Sequence, residues 1–399
     1  MTSTVLPLRV VCDARCLADV SVRGYARYTI ELLAALRERD EVELVLATDV
    51  PLDLPNDLTG LEIRTVGAGR EWQREQRGLP KLVEDAGADV LLAPANRGLP
   101  LLGGPSVLTL HDAVEWDDEF VAAPRGRDRV RFGYASVASM LAATRIISVS
   151  SHAARELHDK LGLTADRVTV ISEAPGRHFL EPTPEDEREK LRSSFDLPDR
   201  FMLYLGGFDP KKSVDTLVRA WASRESRDVP QLVLAGKMAG GEANALIEIA
   251  QQAGADTSRM SFLGYVPDDV VRALYAEAEL FVFPAVAEGF GLPAVEAMAC
   301  GTPTVVADAA SLPEATRGGA LRFPAKDSAA LGLIIDRLFS DRRALTRLGD
   351  TGRAAVSTRT WDDVAAETER VLRDAANASL ASRLVRSARS VRHVHRWVR

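Results

Sequence analysis

The stretch PAVAEGFGLPAVEAMACGTPTVVAD, residues 284–308, decides the fold class. A short apolar run, Leu280–Phe283, leads into it and ends at Pro284. Glu288-Gly289-Phe290-Gly291 reads as a glycine-containing loop. Leu292–Cys300 has helical composition and stops at Gly301, and Thr304–Ala307 is a second apolar run. Strand, loop, helix, strand is the order of an α/β unit. The loop delivers backbone N–H groups to a helix N-terminus, a natural seat for a diphosphate. Two carboxylates bracket that seat: Glu288 in the loop, and Glu296 about one turn inside the helix.

Working outward, 399 residues allow two domains, each of roughly 150–200 residues. A net charge of −7 provides no global basic field, which argues against a nucleic-acid partner. The three cysteines, Cys12, Cys16 and Cys300, form no C-x-x-C pair, and their odd number argues against a disulfide framework. A reducing cytoplasm is the expected compartment. The first residues, MTSTVLPLRVVCD, lack the charged and apolar regions of a signal peptide. No apolar stretch reaches the roughly 18 residues that a membrane span requires.

Leu8–Asp13 reads as a first buried strand, and Arg23-Gly24-Tyr25 opens a helical segment, Ala26–Arg37. Gly24 fits a phosphate approach, or a plain turn. Val42–Ala47, Leu61–Val66, Val90–Ala93, Ser106–Leu110 and Arg145–Val149 continue the strand pattern, with a helix expected over Gln73–Ala86. Apolar runs without strict alternation suit a parallel sheet covered on both faces. His111 follows one such run, and ligands of open α/β sheets collect at strand C-terminal ends. Ser150 or Ser151 is placed to cap the helix before Leu161. Glu181–Arg188, EPTPEDER, reads as an exposed linker.

Phe201–Gly207 begins a second sheet, and Phe208-Asp209-Pro210-Lys211-Lys212-Ser213 opens the helix Val214–Trp221. Paired lysines at a helix N-terminus face an already positive dipole. An anion bound between them resolves that conflict. Gln231–Gly236 and Met260–Pro267 supply further strands, Asp268–Glu279 and Trp361–Leu372 further helices.

Glu288, seven residues, Glu296, with G-F-G-L-P between them, resembles the E-x7-E signature of retaining GT-B glycosyltransferases, most closely glycosyltransferase family 4. The resemblance covers roughly residues 8–375. It implies an α/β fold of GT-B architecture, two Rossmann-like parallel-sheet domains facing across a cleft. It implies an acceptor-side domain over 1–180, a linker over 181–198, a nucleotide-sugar domain over 199–360 and a helix over 361–380 crossing back to the first domain. Glu288, His111 and Lys212 are the catalytic residues it implies. Donor contacts fall to Gly24, Gly207, Lys211, Lys212, Tyr265, Val266, Phe290, Gly291, Leu292 and Glu296. Two positions depart from the family pattern: Ala26 replaces a second glycine, and Gly207 stands where many members carry arginine. The implied activity is transfer of a sugar, with a leaning to mannose or a related hexose, from a nucleotide-diphosphate-sugar to a glycan, lipid-linked or small-molecule acceptor.

No D-x-D pair sits at a strand end, so the phosphate charge falls to lysines and helix dipole, and neither metal nor other cofactor is expected. Two other readings stay open. One is another GT-B sugar-nucleotide enzyme, an epimerase or phosphorylase. The other is a non-catalytic nucleotide-sugar-binding protein.

The last seventeen residues, Arg383–Arg399, hold six arginines and no acid. Leu384, Ala388, Val391, Val394 and Val398 form one helical stripe. The tail over 381–399 therefore fits an amphipathic segment on an anionic membrane surface, placing the protein on the inner face of the plasma membrane. It equally fits a helix docked on the acidic body, or an unfolded tail.

Overall fold

The computed structural model describes residues 6–18, 23–52, 54–96, 98–101, 103–113, 136–223, 229–238 and 240–378. Thirteen strands appear among them: β1 (Leu8–Asp13), β2 (Val42–Thr48), β3 (Glu62–Thr65), β4 (Val90–Ala93), β5 (Ser106–Leu110), β6 (Arg145–Ser148), β7 (Val168–Val170), β8 (Phe201–Leu205), β9 (Gln231–Ala235), β10 (Met260–Gly264), β11 (Leu280–Phe283), β12 (Thr304–Ala307) and β13 (Leu321–Phe323). The helices that position the sites are α1 (Arg23–Arg37), α2 (Ser151–Leu161), α3 (Glu185–Ser194), α4 (Val214–Ala222), α5 (Asp268–Glu277), α6 (Leu292–Ala299) and α7 (Trp361–Ala376). The chain divides into two units. One holds Met1–Glu173 with Trp361–Arg399, the other Ala174–Thr360.

The first unit is a seven-stranded parallel sheet in the order β3-β2-β1-β4-β5-β6-β7. Its inner strands are buried on both faces, which is why their sequences run apolar without alternation. Val11, Val45, Leu91, Leu108 and Ile146 anchor the core. The Ser150 hydroxyl caps α2 by accepting the Ala153 N–H at 3.0 Å, and Gly162 ends the helix in the left-handed region. α7 belongs to this unit and packs on α1. Buried Trp361 meets the edge of Tyr28 at 5.6 Å. Glu369 accepts from the Nε of Arg39 and, at 2.8 Å, from Arg373.

The helix expected over Gln73–Ala86 is broken. Glu71–Gln73 runs into a wide π turn, Arg74–Gly78, and Leu79–Asp85 resumes the α-helix. Pro80 explains the break, because it has no N–H for the carbonyl four residues back and its ring crowds that carbonyl.

The second unit is a six-stranded parallel sheet in the order β10-β9-β8-β11-β12-β13. The strand order reverses between β8 and β11, and the crevice at such a reversal is where open α/β sheets bind ligands. At the end of β9, a Cβ on Gly236 would lie 1.9 Å from the Gly206 carbonyl oxygen, so only glycine lets these strand ends approach.

The division between the units corrects two expectations. It falls at Glu173, not near residue 180, and residues 181–198 are not an exposed linker. Glu185–Ser194 forms α3, which packs on α5 inside the second unit, where Arg272 reaches Glu187 Oε2 at 2.9 Å. Pro184 followed by Glu185, Asp186 and Glu187 is a helix start, since proline and acids both favour the first turn. No described helix is long and apolar enough to cross a membrane. The basic tail over 381–399 lies outside the described residues.

Candidate active site

Two loops meet at the β8/β11 reversal. After β8, Gly206–Phe208 lead into a tight turn at Pro210–Lys212 and then α4. After β11, Pro284–Gly291 lead into α6. The loops are tied by the Val286 N–H, which donates to the Lys211 carbonyl at 2.8 Å. Ser213 takes the left-handed conformation at the start of α4, and its hydroxyl lies 2.8 Å from that of Thr216.

Lys212 Nζ forms an ion pair with Glu288 Oε2 across these loops, both side chains mostly buried. The ammonium also stands 5.7 Å from the centroid of the Phe283 ring. Lys211, one residue earlier, is half-buried.

Gly291 sits at the N-terminus of α6 with φ +108°, and a Cβ there would lie 2.5 Å from Leu312 Cδ2. Glycine is required on both counts. Phe290 and Leu292 on either side are buried. The Ala294 and Val295 N–H groups bond back to the Gly291 carbonyl, and Pro293 has none. The N–H groups of Phe290, Gly291 and Leu292 find no partner among the described residues. They form an open, electropositive helix start beside Lys212.

Glu296 lies one turn inside α6, buried, and accepts from the Tyr275 hydroxyl at 3.3 Å. Tyr265 and Val266 follow β10. The Tyr265 side chain is exposed and that of Val266 is buried, so only its backbone remains to meet a ligand. Gly207 accepts from the Tyr204 hydroxyl through its carbonyl, and a Cβ there would lie 2.9 Å from Asp209 Oδ2.

Three residues of this site carry no motif. The Ser311 hydroxyl lies 2.9 Å from the Glu288 carbonyl and 2.8 Å from that of Phe290, and donating to them fixes the loop. Tyr204 lies buried beneath the site. Burial first, then the charges of Glu288 and Asp209, push its phenol well above the usual range, so it stays a neutral donor. Tyr275 orients Glu296. The thiols are poor nucleophile candidates, because burial raises Cys12 and Cys300 and pushes Cys16 up to about 11.

His111 and Gly24 lie in the first unit. His111 follows β5, as its place in the sequence suggests, and is buried. Its Nε2 faces the Pro94 carbonyl at 2.8 Å, so this nitrogen carries a proton and donates. Nδ1 stands 3.4 Å from Glu173 Oε1, an ion pair when the ring is protonated. Tyr25 and Tyr28 pack against the ring, both at 4.7 Å. Gly24 falls in the first turn of α1 with nothing near its Cβ position.

The same two units emerge from comparison with known proteins. The family model "Glycosyltransferase Family 4" matches residues 22–174, and "Glycosyl transferases group 1" matches residues 185–355. The two models together span most of the described residues, and the chain resembles the glycosyltransferases they describe. A similar relative is the serotype-specific mannosyltransferase WbdA of Escherichia coli, 29% identical over 265 residues, which are 65% of this chain and 32% of that protein. The chain thus spans about a third of that relative's length. The O-antigen chain mannosyltransferase B of Escherichia coli is 28% identical over 371 residues, covering 86% of this chain and 94% of the relative. Among solved structures, sucrose-phosphate synthase from Thermosynechococcus elongatus matches 94% of this chain and 100% of its own, with a TM-score of 0.73 at 21% identity. That likeness identifies the GT-B class of fold.

Proposed function

We propose that the protein is a retaining, metal-independent glycosyltransferase that moves a hexose, mannose or a close relative, from a nucleotide-diphosphate-sugar to a glycan-type acceptor. The observation that carries this reading is the meeting of Lys212, Glu288 and the open N-terminus of α6 at the strand reversal of the second unit. The matches to both family models and the two mannosyltransferase relatives support it.

Glycosyl transfer needs a stabilised leaving diphosphate and a sugar held while it becomes oxocarbenium-like. Without donor, Lys212 is neutralised by Glu288. With donor, the Lys212 ammonium and the N–H groups of Phe290, Gly291 and Leu292 take the diphosphate, with Lys211 beside them. Glu288 then turns its charge to the sugar, whose ring gains positive charge in the transition state. Glu296 holds the ribose hydroxyls, and the backbone at Tyr265 and Val266 holds the base. Gly207 leaves room for the donor, and the family resemblance assigns Gly24 to the phosphate and His111 to the sugar.

The test is transfer assayed with nucleoside-diphosphate hexoses and mannose oligosaccharides. The reading expects a glycoside with the anomeric configuration of the donor. Release of a free epimerised sugar without acceptor would instead indicate an epimerase. Donor binding with no turnover on any acceptor would indicate a binding protein.

A further inference from the structure

Just past β4 the backbone takes a conformation that few side chains adopt. Asn96 has φ +54°, in the left-handed region, and is buried. Glycine enters that region freely, and asparagine and aspartate enter it more readily than other residues. The backbone alone therefore does not explain a buried amide here. Such residues persist where their surroundings over-determine them, and they cluster at functional sites.

The amide is used at both ends. A backbone N–H can only donate, so the Asn96 Oδ1 faces His111 and accepts its N–H at 2.8 Å. That leaves the Nδ2 to donate to the Tyr25 hydroxyl at 3.0 Å. The Asn96 N–H itself donates to the Thr109 carbonyl at 3.0 Å, which keeps the residue in register with the end of β5. One side chain thus joins the C-terminal end of β5 to the first turn of α1. An apolar residue of the same size would bond to neither.

The His111 ring is gripped by the same neighbourhood. Its Nε2 donates to the Pro94 carbonyl at 2.8 Å, two residues before Asn96. Its Nδ1 stands 3.4 Å from Oε1 of Glu173, whose carboxylate is buried. The Tyr25 ring lies against it at a tilt of 53° and the Tyr28 ring meets it edge-on at 87°. Both ring nitrogens therefore face groups of the protein itself. The ring is held in place, and what it fixes is the position of its own strand end and of Tyr25.

We propose that Asn96, together with Glu173, is a positioning residue of the transfer, setting His111 and the Gly24–Tyr25 turn at one fixed separation. This rests on the glycosyltransferase reading, which assigns the sugar to His111 and the phosphate to Gly24. It adds two residues outside the motifs that carry that reading.

The experiment measures donor-saturation kinetics, GDP and UDP binding and thermal melts on the full chain. Asn96→Gly is the informative variant, because glycine keeps the backbone conformation while both side-chain bonds are deleted. It should stay folded and lower kcat about ten- to hundredfold, the scale of a small misplacement of reacting groups. GDP and UDP affinity should change little, because the seat at Lys212 and α6 lies in the second unit. Tyr25→Phe keeps the ring on His111 and removes the hydroxyl. Its kcat loss should not add to that of Asn96→Gly, since both break one bridge. Glu173→Ala should lower kcat, and Glu173→Gln, whose amide oxygen still accepts from Nδ1, should restore most of it. A fully active Asn96→Gly protein would overturn the proposal. So would kcat losses in Asn96→Gly and Tyr25→Phe that multiply, or a fall in activity matched by an equal loss of folded protein. In each of those cases the unaltered chain still transfers sugar, and the transferase reading stands. An unaltered chain with no turnover of any nucleotide-sugar would overturn that reading, and the positioning role with it.

Discussion

Glu288, Lys212 and Glu296 differ in what they do as the reaction proceeds, and substitution can separate them. In the proposed mechanism Glu288 opposes a charge that grows only in the transition state. Glu288→Gln should chiefly lower kcat, by roughly 10²–10³-fold, as expected for losing one electrostatic stabiliser. The same mechanism gives Glu296 the ribose hydroxyls, whose charge does not change, so Glu296→Gln should chiefly raise the donor KM. Donor-saturation kinetics on both variants, with melts to confirm folding, checks the assignment. A Glu296→Gln enzyme with the larger kcat defect would reverse the two roles. These residues were legible because a loop, a helix start and two spaced glutamates lie within one continuous stretch. Ser311, Tyr204 and Tyr275 were not. Each reaches the site from a different part of the chain, and an isolated serine or tyrosine carries no spacing to read.

At the scale of elements, the strands were readable because apolar runs must be buried on both faces of a parallel sheet. The π turn and α3 were harder. In the first, Pro80 disrupts a segment whose periodicity otherwise reads as helix; in the second, Pro184 and three acids look alike whether they start a helix or fill a linker. The close approach at Gly236 leads to a sharp expectation. Gly236→Ala places a methyl 1.9 Å from the Gly206 carbonyl at a backbone φ of +135°. It should destabilise the protein by about 3 kcal/mol or more, combining overpacking with backbone strain. Chemical denaturation reads this directly, and an unchanged midpoint would contradict the packing described. The α1/α7 contact gives a second. Burial alone would raise the Glu369 carboxyl, but hydrogen bonds from Arg39 and Arg373 outweigh it and lower its pKa. A depressed carboxylate stabilises the fold at pH above its ordinary 4.5, and that stability fades as pH falls from there towards the folded value. Glu369→Gln should cost about 2 kcal/mol at neutral pH, the scale of hydrogen bonds to a charged group. The difference from the unaltered protein should shrink in acid melts.

Across the whole molecule, the absence of a D-x-D pair from the sequence and the lysine-plus-dipole arrangement at α6 support transfer without a metal. Activity should therefore survive exhaustive chelation. Loss in EDTA with recovery on Mg²⁺ or Mn²⁺ would contradict it. The six arginines beyond residue 382 set a separate expectation. A protein ending at Asn377 should keep donor turnover but lose binding to phosphatidylserine vesicles, most visibly at low salt, where screening is weakest. Full-length protein that ignores such vesicles would remove the membrane reading of the tail.

The central claim is that Lys212 and the open start of α6 form a diphosphate seat. Its most direct test is calorimetric titration of nucleoside diphosphates into the full chain and into Lys212→Ala, both in EDTA. The account predicts that at least one nucleoside diphosphate binds the unaltered protein without metal, raising its melting temperature by mass action. It predicts that Lys212→Ala, equally folded, loses about tenfold or more of that affinity, as removal of a charged hydrogen-bond donor entails. Undiminished binding to Lys212→Ala, or no binding to the unaltered protein, would contradict it.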